Sequence, residues 1–161
     1  MAVEQQQEFL SMVFDSGEAL LDVINDILDF SKVEAGKFEL DQEPFRLRDC
    51  LGDALRSLAP RARPADLEIA SDVQPEVPHV LIGDAGRLRQ IVVNLIGNAL
   101  TFTERGEILL SVKLLSQTDQ HVELEFAVRD TGIGIPESKL GSIFEAFEQV
   151  DTTLTRRFGG T

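Results

Sequence analysis

The sequence has no tryptophan and no tyrosine. Its aromatic content therefore rests on ten phenylalanines, which read as core material rather than as polar-tipped ligands. It has one cysteine, Cys50, which excludes an internal disulfide and makes a reduced, intracellular setting the default. Basic residues are outnumbered, 15 against 28 acidic, for a formal net charge of −13. That surplus argues against non-specific nucleic-acid binding and against docking on an anionic membrane, and it opposes any polyanionic ligand unless local donors offset it. No apolar run approaches the ~18 residues that span a bilayer. The opening "AVEQQQEF" has neither the basic start nor the apolar core of a signal peptide. The expectation is a cytoplasmic chain without membrane contact. Its hydrophobic content of 43% is enough for a packed core, and its length suits one ordinary domain, or a smaller domain with an appendage.

Proline is also missing from the first part of the chain, up to Pro44. Residues 4–35 read as one long helix. Phe9, Val13, Leu20, Ile24 and Ile27, beside a second row of Leu10, Phe14, Leu21 and Leu28, recur at helical spacing, and Gly36 is the expected stop. Two rows are too wide for a single seam and point to a bundle of four helices. The chain offers no antiparallel mate, so either a partner chain or the rest of this chain covers them. After "EAGKFELDQEP" the pattern changes. "FRLRD" predicts a short strand, residues 48–60 a helix with Cys50, Leu51, Leu55 and Leu58 inward, and "LEIASDV" a strand. A helix follows from about Asp84, a good N-cap. "EILLSVKLLS" and "HVELEFAVRD" predict two strands joined by a turn at "QTDQ", and "PESKLGSIFEAF" a short helix opened by proline. The alternation of helices with antiparallel strands predicts an α+β fold.

Three features point to chemistry. Asn94 and Asn98 lie one turn apart on a helix of core-like residues. A buried amide pair is costly without partners, so the pair either caps neighbouring loops or ligates a hard cation such as Mg²⁺. In "RDTGIGIP", Asp130 ends a strand, where the sheet would hold its carboxylate toward an exocyclic amine, and Gly132 and Gly134 let backbone approach a ligand. "RFGGT" adds a glycine pair able to cradle phosphate.

In this order the motifs resemble those of sensor histidine kinases. "NLIGNALTFT" is similar to their N box, "DTGIGI" to the first glycine box, "FEAFEQVD" to the F box and "RRFGGT" to the start of the second glycine box. "VINDILDFSKVEAGKFEL" resembles the second helix of the dimerisation and phosphotransfer domain of hybrid kinases. The resemblance implies two parts. Residues 1–40 would be that helix, which forms a homodimer, and 44–161 a catalytic domain of Bergerat type, a two-layer α/β sandwich truncated at its C-terminus. This is the ATP-binding fold shared with gyrase, mismatch-repair ATPases and heat-shock chaperones.

The cofactors implied are ATP and Mg²⁺. Asn98 would ligate the metal, and Asn94 would serve catalysis by ordering the metal, its waters or the phosphates. Asp130 would read the adenine amino group. Phe102 and Ile135 would line the base, and Gly132 and Gly134 would shape its pocket and the start of a lid. Phe144 and Phe147 would sit at the lid root, or serve as core anchors. Gly159, Gly160 and Thr161 would begin the phosphate loop. The reaction implied is phosphorylation of a histidine, then a phosphorelay to an aspartate on a response-regulator receiver domain.

Three departures from the family qualify this. The stretch similar to "HEIRTPL" that bears the acceptor histidine is absent, and His79 and His121 read as surface or structural. Thr101 stands where the family often has a phosphate-facing lysine, leaving Arg87, Arg89, Arg105, Arg156 or Arg157 to compensate. The chain ends at Thr161, inside the second glycine box. The expectation is a fragment unable to phosphorylate itself, with 148–161 its most mobile part. The alternatives are a degenerate, non-catalytic dimerisation and signalling module, or another ATPase of the superfamily.

Overall fold

The computed structural model describes residues 2–62 and 67–141. The chain divides into two units, Met1–Leu40 and Asp41–Thr161.

The first unit is a single helix, α1 (Ala2–Glu34). Its end follows from Gly36, which takes the left-handed φ of 65°. There the Lys37 N–H reaches the Lys32 carbonyl at 2.9 Å and the Gly36 N–H reaches Val33 at 3.0 Å. This paired closure satisfies carbonyls that a helix end leaves open, and glycine adopts it without strain. Phe9, Val13 and Leu20 are 66%, 70% and 61% exposed.

The second unit contains β1 (Glu43–Arg46), α2 (Leu47–Ala62), β2 (Leu67–Val73), β3 (Val80–Gly83), α3 (Ala85–Phe102), β4 (Gly106–Gln117), β5 (Val122–Asp130) and a 3₁₀ turn, Glu137–Lys139. Helices α2 and α3 pack together against the sheet β2-β4-β5, while β1 and β3 form a separate antiparallel pair. This is the expected two-layer α/β arrangement. Its core follows from three periodicities. Leu47, Leu51, Ala54 and Leu58 line one stripe of α2, Val92, Ile96 and Ala99 one stripe of α3, and Ile108, Leu110 and Val112 alternate on β4. Val77, from the loop before β3, completes it.

Three details differ from the sequence expectation. The strand expected at "FRLRD" ends at Arg46, and Leu47 opens α2. The sheet is not wholly antiparallel: β2 runs parallel to β4, with Leu67 opposite Gly106 and Val73 opposite Val112. The cause is the β3–α3 excursion between them, which returns the chain to the same end of the sheet, as a crossover does. The segment "VLIG" is also a strand, β3, paired with β1. The predicted helix after Pro136 begins as the 3₁₀ turn, and its remainder, with Phe144 and Phe147, lies outside the described residues.

Candidate functional site

The site begins where β5 stops. Asp130 is the last residue of β5, opposite Ile108 on β4. Its Oδ1 accepts the Gly132 N–H at 2.8 Å, a local turn that fixes the carboxylate over the following loop. The next N–H, of Ile133, donates to the Phe102 carbonyl at 3.2 Å. That oxygen is one of those a helix C-terminus leaves unpaired, so the loop after β5 is stitched to the end of α3. Only glycine fits between. A Cβ at residue 132 would overlap the Phe102 carbonyl oxygen and come within 2.7 Å of Thr103 Oγ1 and 2.9 Å of Asp130 Oδ1. On the other side, Thr131 Oγ1 accepts the Glu107 N–H at 3.1 Å. Gly106, at φ 117°, leaves the space that the Thr131 side chain fills.

Asn98 lies one turn before Phe102 on α3, about 6 Å along the axis, and Asn94 one turn earlier. Both amides are exposed, which removes the burial cost inferred from the sequence. The buried stripe of α3 is Val92, Ile96 and Ala99, while Asn94 and Asn98 share the outward stripe with Ile91, Leu95 and Phe102. Neither amide has a hydrogen-bond partner among the described residues. Thr101 is half-buried, and its hydroxyl donates back to the Gly97 carbonyl at 2.9 Å. Gly134 is left-handed at φ 70°, and Ile135 is exposed beside it. Phe102, Asp130 and Gly132 are thus brought together by direct contacts, with Asn98 and Asn94 on the successive turns of α3 leading to them. Gly159, Gly160 and Thr161, like Arg156 and Arg157, lie outside the described residues.

The start of α3 is fixed by Asp84, whose Oδ1 accepts the Arg87 N–H at 2.9 Å and whose Oδ2 accepts the Asp41 N–H at 3.3 Å. The Arg87 amide, more than any other group, holds the Asp84 carboxyl below the usual range. Arg87 also bonds Gln90 Oε1 at 2.8 Å. Cys50 donates to the Ala85 carbonyl at 3.5 Å, and burial pushes its thiol up against the opposing pull of Arg89. His79 and His121 are both exposed, His79 beside Arg48 at 3.3 Å and His121 in the β4–β5 turn.

No group of three or more His, Cys, Asp or Glu side chains able to hold a metal exists among the described residues. A protein cage for zinc or calcium is therefore not built there. An exposed amide oxygen is a different kind of ligand. It suits a hard cation that keeps waters and takes most of its remaining ligands from a phosphate, as Mg²⁺ does. The residues present fit that group. One functional candidate escaped the sequence reading. Thr103 is 2% exposed and its hydroxyl lacks a partner among the described residues. The spacing Ile96, Ala99, Thr103 carries the signal, since it continues the buried stripe of α3.

The two-layer fold is that of a histidine-kinase-type ATPase domain. Residues 83–161 match the family described as histidine kinase-, DNA gyrase B-, and HSP90-like ATPase. Over 157 residues the chain is 46% identical to the sensor protein GacS of Pseudomonas syringae pv. syringae, covering 98% of this chain and 17% of that protein. It is 43% identical over 158 residues to hybrid signal transduction histidine kinase L of Dictyostelium discoideum, covering 98% of this chain and 9% of that one. Among solved structures, full-length ShkA in complex with AMPPNP aligns with a TM-score of 0.74 at 36% identity, covering 94% of this chain and 32% of that chain. The chain belongs to the sensor histidine kinases of hybrid type, with the ATPase family's domain over residues 83–161. It spans less than a quarter of the length of these curated relatives.

Proposed function

We propose that residues 41–161 bind ATP with Mg²⁺ at the junction of α3 and the Asp130–Ile135 loop. They would do so within a longer kinase that phosphorylates a histidine and passes the group to an aspartate on a receiver domain. One observation carries this reading: the loop bearing Asp130 is bonded to the end of α3 through Phe102, one turn from Asn98. In this reading Asp130 accepts the adenine amino group, and Gly132 keeps the approach to it free of side-chain atoms. Phe102 and Ile135 offer apolar surface to the base. Asn98 supplies an amide oxygen to Mg²⁺, and Asn94 orients the phosphates or the metal's waters. Bound Mg²⁺ would neutralise charge on the phosphates, and the protein's share would be positioning and fixed dipoles. Helix α1 pairs with its copy in a second chain and so covers its exposed rows. Neither His79 nor His121 is the acceptor, since both sit on turns between strands rather than on a helix face.

The test is Asp130→Asn in the full-length protein, with ATP and GTP titrated separately. Guanine carries a carbonyl where adenine carries its amine. The substitution weakens ATP by about 1.5–3 kcal/mol, the worth of a hydrogen bond to a charged group, and leaves GTP unaltered. Equal weakening of both nucleotides would assign Asp130 to the fold alone.

A second reading, a non-catalytic dimerisation and signalling module, is favoured by Thr101. Its hydroxyl is bonded within its own helix at the position where the family often carries a phosphate-facing lysine. Absence of ATP binding by the full-length protein would select this reading.

A further inference from the structure

The Thr103 hydroxyl is the one buried side-chain polar atom without a partner among the described residues. It sits at the end of α3, at the junction where the Asp130 loop is stitched down. Thr103 Oγ1 and Asp130 Oδ1 lie 2.7 and 2.9 Å from the same point, the place a Cβ on residue 132 would occupy. The hydroxyl and the carboxylate oxygen therefore both border the space kept open by the missing side chain at Gly132. A buried hydroxyl costs free energy until it is bonded. A carboxylate oxygen already holding one N–H retains a second lone pair. The Oδ1 of Asp130, which holds the Gly132 N–H, meets that description.

We propose that Thr103 is a positioning residue for Asp130. With nucleotide in the cleft, its hydroxyl donates to Oδ1, so that Oδ1 is held by Thr103 and Gly132 together and Oδ2 is turned toward the adenine amine. This rests on the reading of Asp130 given above and adds the residue that fixes its orientation. Rotation about χ1 carries each oxygen across that space, and a bond to a charged acceptor is stronger than one between neutral groups. Specificity for adenine then depends on a residue that never touches the base.

The experiment compares Thr103→Val, Thr103→Ser, Asp130→Asn and the Val/Asn double variant in the full-length protein. ATP and GTP affinities are read by displacement of a fluorescent ATP analogue, and stability by thermal melting without nucleotide. Thr103→Val should weaken ATP about fivefold with GTP unchanged, on the scale of a single hydrogen bond. Thr103→Ser should stay within about twofold of wild type. In the double variant the loss should not exceed that of Asp130→Asn alone, because the two residues act as one unit. If Thr103→Val binds ATP as wild type does while Asp130→Asn loses it, the proposal is overturned and the reading of Asp130 stands. If Asp130→Asn leaves the ATP-to-GTP ratio unchanged, the reading of Asp130 fails and takes the proposed role with it. If Val at this site prevents folding, the Ser and Ala variants replace it, since they differ only in the hydroxyl: equal ATP affinity in those two overturns the proposal, and a selective loss in Ala supports it.

Discussion

Helices α1 and α3 carry apolar stripes of similar spacing and differ in what becomes of them. On α3, Val92 and Ile96 are 1% and 0% exposed against the sheet. On α1, the large apolar residues of both rows stay exposed. An apolar stripe shows that a helix needs cover and leaves open where the cover comes from. Helix α3 gains it from α2 and from strands β4 and β5, whereas α1 is a solitary element in its unit. Leaving a large apolar side chain in water forfeits roughly 1.5–3 kcal/mol, so the rows of α1 call for cover.

The strongest way to break this contrast is to cut into the α3 side. Ile96→Ala removes a fully buried side chain and leaves a cavity, and should cost about 2–5 kcal/mol in urea unfolding of the second unit. A loss below about 1 kcal/mol would mean that the α3 stripe is no better covered than that of α1. Leu20→Ala or Ile24→Ala should do the reverse. Each should leave unfolding of the second unit unchanged and weaken self-association by up to about 1.5–3 kcal/mol, read by sedimentation across concentrations. A wild-type chain that stays strictly monomeric to high micromolar would end the pairing reading. Gly36→Ala sharpens the contrast at the helix end. The left-handed φ there costs an L residue about 1–2 kcal/mol, and no neighbouring atom lies within 4 Å to add a clash. Helicity of α1 near Lys32 should fall while the melting of the second unit holds. The smallest effect concerns Asp84. Its carboxyl is depressed in the folded chain, so the stabilisation it gives is present above about pH 4, the ordinary value. It is lost as the pH falls through the lower folded value. Asp84→Asn should flatten that part of the stability profile, with a drop of at most a few degrees in Tm at neutral pH.

Much of this was legible in the sequence. The Asp84 cap, the Gly36 stop and strands β2, β4 and β5 are local patterns and formed where they lay, whereas on α2 Ala54 fills the stripe while Cys50 and Leu55 stay half-buried, and the tail of "FRLRD" is helical. What escaped was non-local. The direction of β2 relative to β4 depends on where the β3–α3 excursion returns, which no window of residues contains. Strand β3 is four residues long and lies just after Pro78, too short for alternation to register. At the site, the glycines and Asp130 announced themselves by spacing. The stitch between Ile133 and Phe102 did not, since a backbone hydrogen bond leaves no mark on residue type. Thr103 was passed over because a threonine ending a helix looks like a cap, whereas its burial follows from the stripe it continues. The expectation for 148–161 concerns residues beyond those described.

The mixed sheet has a consequence for the order in which the unit assembles. Strands β4 and β5 are joined by a tight turn closed by Thr118 and His121, so their pairing needs little loop closure and belongs to the microsecond class of hairpins. Strand β2 can pair with β4 only after β3 and α3 have been laid down between them, and that search is slow because its entropy is lost before its contacts form. The hairpin then serves as a template and β2 as the latecomer. In a refolding experiment followed by pulsed hydrogen exchange, amides shared by β4 and β5 should gain protection before those shared by β2 and β4.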